Sequence, residues 1–441
     1  MKKTTLLLSA ALLAAFPTVS STAQDTKDEI RKTGWNFGPL PVVGFDSDLG
    51  FQYGVCCDIF NYGDGTNYPA YNFKINLEAS TYTKGSSVLR SYGDFKNIIP
   101  EGKLFYDVAY FSAPKFGFYG FNGFASPYDE DYTLAKPGTV LDDGAKSGYN
   151  FMNRRQLRAL VSIQKKIAGH LNWAAGYSFY HIETEALNES KFDSYENQVT
   201  LYEMYRQYGL IREDEADGGT VMQFRAGLVY DSRDHDSDPT RGLNIEASIE
   251  YAPDIVDRDG YNNMGFTFLG SQYIPVVSDK LTLAYRIGVQ TKLWGDIPFY
   301  FANNINTMFF RRMYTEGLGG TTSVRGINRN GVIGDGLAWV NLEMRWRFYD
   351  FKFINQNWGL ALNPFFDAGQ VIQSYRLDEQ KALDRSLGLY SGDSEKPHCA
   401  AGLGFKLVMN HNMILSVEAS KALSENDGKK LWTNIGFNYM F

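Results

Sequence analysis

Cysteine is scarce, three residues in 441, and the three are not spaced for any shared chemistry. Cys56 and Cys57 are adjacent, so in a strand they point to opposite faces, and Cys399 stands alone. This excludes a disulfide framework or a zinc knuckle and leaves small apolar residues in strands. Long apolar runs are missing as well. Beyond the first residues, nothing approaches the roughly 18 consecutive apolar positions of a spanning helix, so a helical membrane protein is excluded. Helical periodicity is almost absent, which sets the chain apart from an ordinary secreted enzyme. Positive charge is not concentrated anywhere, and with a net charge of −7 nucleic acid is not an expected partner. Catalytic patterns are missing too. There is no Gly-x-Ser-x-Gly elbow and no His-Glu-x-x-His, and the five histidines are scattered, with His170 and His411 beside turns. No catalytic residue, cofactor or metal is expected.

What the chain does have is glycine (43 residues), tyrosine (29) and phenylalanine (31), and aromatics reach 15%. That bias suits many strands with aromatic girdles at two lipid–water interfaces. The N-terminus carries Lys2 and Lys3, then a short apolar run from Leu6 to Phe16, then the small residues Ser21-Thr22-Ala23. This is the pattern of a cleaved signal peptide, too short to anchor in a bilayer. The expected organisation is a signal peptide over 1–23, a short periplasmic segment over 24–38 and one domain over 39–441.

Period-two alternation runs through that domain. Around 337–348, Ala338, Val340, Leu342, Met344, Trp346 and Phe348 share a face, opposed by Asn341, Glu343, Arg345 and Arg347. Leu243, Ile245, Ala247, Ile249 and Tyr251 likewise oppose Asn244, Glu246, Ser248 and Glu250. So many strands with a charged or small face call for a water-lined interior rather than a soluble sandwich. The segments number about sixteen, from 39–45 to a long, regular last strand at 430–441, an even number as bacterial barrels require. Long connections (114–150, 183–218, 294–335, 373–396) all follow odd-numbered strands, and short ones follow even-numbered strands. An outer-membrane barrel with its N-terminus in the periplasm has this parity. The fold class is therefore an all-β, transmembrane, antiparallel β-barrel in the cell outer membrane, with outer-membrane lipid and lipopolysaccharide as its surroundings.

Four segments carry a more specific likeness. They are Gly319-Gly-Thr-Thr-Ser-Val-Arg-Gly-Ile327, Asn341-Leu-Glu-Met-Arg345, Asn363-Pro-Phe-Phe-Asp-Ala-Gly369, and Tyr230-Asp-Ser-Arg-Asp234 followed by Pro239-Thr-Arg-Gly-Leu243. In this order, with five strands after the first, they resemble the barrel of the BamA/TamA family of outer-membrane assembly proteins. The internal-loop motif is then Ser323, Val324, Arg325, Gly326 and Ile327, with Ile327 where the family has an aromatic. By alternation Glu343 and Asp367 point into the lumen. If the loop folds inward, Arg325 meets both in a partly dehydrated interior, and Gly326 lets the backbone pack against the wall. The resemblance implies the same contact.

Two further features concern closure. Phe437, Tyr439 and Phe441 lie on one apolar face of the last strand and look like the C-terminal signal of barrels handled by the assembly machinery. The first strand, with Pro39, Pro41 and Gly44, is short and lacks two ladder donors, so closure there should be weak. In the resembling family this seam opens so that client strands can pair with its edge. Members usually carry periplasmic POTRA domains, whereas only about 15 residues separate the expected mature N-terminus from the first strand here, too few for a folded module. The chain is thus similar to a barrel-only branch. It is expected to assist insertion or translocation of outer-membrane or surface proteins, with client proteins or other assembly components as partners. A passive channel or porin and a structural, partner-binding subunit are the alternatives. Asp234-His-Asp-Ser-Asp238 begins like a calcium loop, but Pro239 and Ile245 replace the required Gly and Glu, so a polar turn is expected.

Overall fold

The computed structural model describes residues 32–66, 71–96, 98–134, 148–187, 199–235, 237–256, 260–278, 280–307, 317–353, 356–409, 413–428, 430–437 and 439–441. The expected signal segment and His411 lie outside these residues.

Sixteen strands follow one another: β1 (Trp35–Asp46), β2 (Gly50–Asn61), β3 (Phe73–Tyr82), β4 (Ser87–Lys96), β5 (Gly102–Gly117), β6 (Phe151–Ala168), β7 (Leu171–Glu185), β8 (Gly218–Asp231), β9 (Gly242–Ala252), β10 (Asn263–Val277), β11 (Leu281–Gly295), β12 (Gly336–Phe353), β13 (Gln356–Gln373), β14 (His398–Met409), β15 (Met413–Ala422) and β16 (Trp432–Phe437). Each pairs antiparallel with the next, and β1 meets β16 to close the barrel. The alternation sets which way each side chain points. On β12, Val340, Leu342, Met344 and Trp346 are 37–49% exposed, whereas Asn341, Glu343 and Arg345 are 0–4% exposed. A soluble sheet shows the opposite, so the outer surface is the lipid-facing one. β9 repeats the pattern, with Ile249 and Tyr251 exposed and Ser248 and Glu250 buried.

Long connections follow the odd-numbered strands and mark the extracellular end. The described parts of four of them meet over the mouth in an apolar cap. Phe118, Phe121, Tyr202, Tyr205, Phe299 and Tyr375 are buried in one cluster. Their rings meet edge-on, 5.2 Å apart for Phe118–Tyr205 and 4.7 Å for Phe121–Tyr375. The helix Leu201–Gln207 that supplies two of these rings starts from a capping box between Thr200 and Glu203. Arg376 and Glu215 pair between two of the connections, and Gln380 bonds Ser126 and the Leu389 carbonyl. An open porin mouth is not what these residues build.

Both ends of the chain differ from expectation. β1 starts at Trp35, before its prolines, and pairs with β2 along its whole length, Pro39 opposite Cys57 and Pro41 opposite Val55. The last strand is not long. β16 has six residues, and Tyr439, Met440 and Phe441 leave the wall and are buried inside, while Phe437 stays exposed. The inner wall supplies the reason: it offers the tail apolar contacts and two guanidinium groups. Tyr439 packs on Val408 and Ile414, and Met440 and Phe441 pack on Tyr273 and Ala284. Arg345 lies 3.9 Å from the Tyr439 ring centre and donates to the Phe441 carbonyl at 2.8 Å, and Arg286 lies 5.2 Å from the Phe441 ring. Alternation alone cannot distinguish a strand that stays in the wall from one that turns off it.

Candidate functional site

The connection between β11 and β12 re-enters the lumen as a small hairpin. Leu318 bridges Val332, and Ser323 Oγ donates to the Gly317 carbonyl and accepts from the Gly319 N–H at 2.9 Å. Val324, Ile327, Leu318 and Val332 pack against Leu337, Trp339 and Val371 of the wall. Asn341 Nδ2 donates to the Ser323 carbonyl at 2.6 Å, fixing the loop to β12. Gly326 has φ +101° and lies against β14 and β15; a Cβ there would sit 3.0 Å from Ala400 Cβ and 3.1 Å from the Lys421 carbonyl carbon. Glycine is needed for both conformation and clearance.

This hairpin delivers Arg325 to three strands at once. Its Nε and Nη2 fork onto Asp367 of β13 at 2.8 and 3.0 Å, and its backbone N–H donates to the same carboxylate. Nη1 donates to Glu343 of β12 at 2.8 Å and to Glu418 of β15 at 3.1 Å. The guanidinium lies 3.5 Å from the Phe365 ring centre. Glu343 is shared with Arg345, and Glu418 is shared with Lys406 of β14 at 2.6 Å. Three cations and three carboxylates thus offset each other in the lumen, all nearly or fully buried. A forked guanidinium suits this better than an ammonium would, because one planar group reaches two acceptors with fixed geometry. No bond is made or broken here; the cluster fixes the loop inside the barrel.

The structure therefore brings Arg325, Glu343 and Asp367 together, with Ser323, Val324, Gly326 and Ile327 seated around them. Sequence reasoning did not find Glu418, Lys406 and Arg345 as partners. Their charge on inward-facing positions was the available signal, but only barrel curvature brings β15 across from β12. A second buried cluster also went unnoticed: Asp107 of β5 accepts from Arg90 of β4 and Arg158 of β6, both at 2.6 Å. It ties the opposite wall.

The seam is sparse by comparison. β1 and β16 share two register positions, Phe45 with Ile435 and Asp46 with Asn434. Just past them, the Ser47 N–H donates to the Thr433 carbonyl at 3.2 Å. At the other end of β1, the Gly34 carbonyl accepts from the Tyr62 N–H at 3.0 Å and the Gly34 N–H donates to the Gly63 carbonyl at 2.8 Å, both toward β2. Backbone groups alternate sides along a strand, so even residues of β1 bond β2 and odd residues face the seam. Pro39 and Pro41 therefore lack donors only on the seam edge. Gly44 sits where the strands still touch, and a Cβ there would come 3.0 Å from the Ile435 carbonyl.

At the periplasmic end, Asp234 accepts from the Thr240 hydroxyl at 2.5 Å and from the N–H groups of His235, Thr240 and Arg241. These bonds clasp a turn, and the described residues hold no grouping of ligands for a metal.

A sixteen-stranded barrel with lipid-facing apolar residues and a loop clamped inside its lumen defines a class of outer-membrane protein. The Omp85 superfamily domain matches residues 102–438, and the chain belongs to that superfamily. Membership places it in the outer membrane and in a non-enzymatic group. Among solved structures, it is similar to BamA from Haemophilus ducreyi lacking POTRA domains 1–3, with TM-score 0.56 and 14% identity, over 92% of this chain and 70% of that one. It is also similar to CdiB from Escherichia coli, with TM-score 0.52 and 10% identity, over 92% of this chain and 63% of that one. At these identities the likeness is one of fold. No curated protein matches the chain.

Proposed function

We propose that the protein assists the insertion or translocation of outer-membrane or surface proteins by offering the seam edge of β1 to an incoming strand. The observation that carries this reading is the contrast between the two edges of β1. Twelve residues register with β2 and two with β16, so from Trp35 to Gly44 the seam edge has no registered partner among the described residues. An unpaired edge is a template for strand addition. The short β16 adds a second effect. Six residues of extended chain reach about 20 Å, less than the roughly 25 Å apolar band of such barrels, so lipid beside the seam is thinned. The loop clamp acts by holding the wall while the seam yields. The apolar cap and the filled lumen speak against the passive channel.

A photo-crosslinker at Phe37, on the seam strand, tests the proposal in living cells. Crosslinks to newly made barrel proteins are expected, together with broad loss of barrels from the outer membrane when the protein is depleted. Crosslinks to one stable partner, with loss of that partner alone, would overturn it in favour of a structural subunit.

A further inference from the structure

We propose that Arg329 is a positioning residue that clamps the extracellular end of the β1–β16 seam, so that loop seating and seam closure are one event. Arg329 lies four residues beyond Arg325 on the same inserted hairpin. Its side chain is 7% exposed. Nη2 donates to Asp46 Oδ2 at 2.6 Å, and its backbone N–H donates to Asp48 Oδ2 at 2.7 Å. Asp46 is one of the two β1 residues registered with β16, and Asp48 is in the turn that follows.

Asp48 also reaches across the seam. Its Oδ1 accepts from Lys430 Nζ at 3.0 Å, and Lys430 precedes β16. The Lys430 backbone N–H donates to Glu130 at 2.6 Å, in the connection after β5. On the other side of the turn, Lys84 Nζ donates to the Ser47 carbonyl at 2.7 Å. The hairpin beside Arg329 is pinned as well: Asn328 Nδ2 donates to the Tyr128 hydroxyl at 2.7 Å and Asn330 Nδ2 to the Gly117 carbonyl at 2.9 Å.

The segment 325–329 therefore holds the barrel twice, through Arg325 to β12, β13 and β15 and through Arg329 to β1. A hairpin that left the lumen would release both carboxylates of the β1 turn. With the hairpin seated, the seam is held at Phe45–Asp48 and has no registered pair from Gly44 to Trp35 among the described residues, so it opens from the periplasmic end with the extracellular end as the hinge. The clamp needs no client, and its test is independent of protein insertion.

The experiment uses the full chain in lipid bilayers, with Cys56, Cys57 and Cys399 changed to Ser and the registered pair Phe45→Cys and Ile435→Cys introduced. Disulfide formation under mild oxidation is the readout, with heat-dependent gel mobility reporting the folded barrel. Arg329→Met is expected to slow cross-linking about tenfold, since it leaves the buried Asp46 carboxylate without its guanidinium. Arg329→Lys is expected to recover most of the rate. Arg325→Gln is expected to slow it too, by unseating the hairpin. A parent rate in folded Arg329→Met overturns the clamp, and Arg329→Lys as slow as Arg329→Met overturns its ionic basis. A parent rate in Arg325→Gln whose loop has become protease-sensitive overturns the coupling. If Arg329→Met does not fold, Lys430→Met tests the same end of the seam, with slower cross-linking expected and a parent rate counting against the proposal.

Discussion

The wall from β12 to β15 and the seam between β1 and β16 belong to one sheet yet are built to opposite standards. β12 and β13 pair from Gly336–Gln373 to Phe353–Gln356 with two register shifts, whereas β1 and β16 share two positions. The wall has a buried guanidinium cross-linking three strands through their side chains, while the seam has a turn contact, one Arg329–Asp46 pair at its extracellular end and a proline-bearing edge. A closed barrel that were only a scaffold would gain from uniform pairing, because any free edge invites association. On the proposed function, the asymmetry makes the first strand the place where the cylinder would yield and the cluster around Arg325 the place where it would not.

The largest effect should come from breaking the strong side. Arg325→Ala leaves Glu343, Asp367 and Glu418 with only Arg345 and Lys406 between them in a dehydrated lumen. Removing one partner of a buried ion pair costs about 3–5 kcal/mol, so the temperature at which the barrel loses its folded gel mobility should fall clearly. Arg325→Lys should recover little, because an ammonium cannot fork onto both oxygens of Asp367. An unchanged transition in Arg325→Ala would mean that the wall is held by its ladder alone.

How much of this contrast could be read from the sequence follows from what alternation encodes. Inward and outward faces were legible because the membrane inverts the usual burial, so Glu343 on β12 and Ile249 on β9 announce their sides directly. Arg325 was legible through a motif and Glu343 and Asp367 through parity. Glu418 and Lys406 were not, because their link to Arg325 depends on the closure of the cylinder rather than on spacing. The seam was read as weak on account of Pro39 and Pro41, yet the prolines leave the β2 ladder whole. The larger weakness arises where Tyr439 and Phe441 turn inward onto Arg345. That turn is set by partners far away in sequence and invisible to a period-two pattern.

A middle-sized effect should appear in acid, at the seam. Burial raises the Asp48 carboxyl pKa, but the Lys430 ammonium and Arg329 more than offset this, so it lies below its ordinary 3.8. The groups facing it are Lys430, Arg329 and Asp46, with Lys84 on the turn. A depressed carboxylate pKa contributes stability that is present above the unfolded value and lost as pH falls through the folded one. Spin labels flanking the seam should therefore keep a narrow distance distribution down to about pH 4 and broaden below it. Asp48→Asn should be broad throughout, without an acid step. Broadening already at pH 6 would place the controlling group elsewhere.

The smallest effect on stability, and the sharpest test of how the seam edge is oriented, should come from Pro39→Val combined with Pro41→Val. If odd residues of β1 face the seam, the change adds two donors to a free edge and leaves the β1–β2 ladder as it was. Folding stability in bilayers should then move by no more than about 0.5 kcal/mol, as for a substitution away from packed contacts. The filled edge should instead pair more readily with whatever strand it meets, so heat-resistant dimers joined through β1 should increase on native gels. A gain near 1 kcal/mol, the net value of a typical hydrogen bond, without new dimers would show that the restored N–H groups bond β2. In that case the prolines weaken the ladder inside the barrel wall, and the sparse closure at β16 would rest on the inward turn of the C-terminal tail alone.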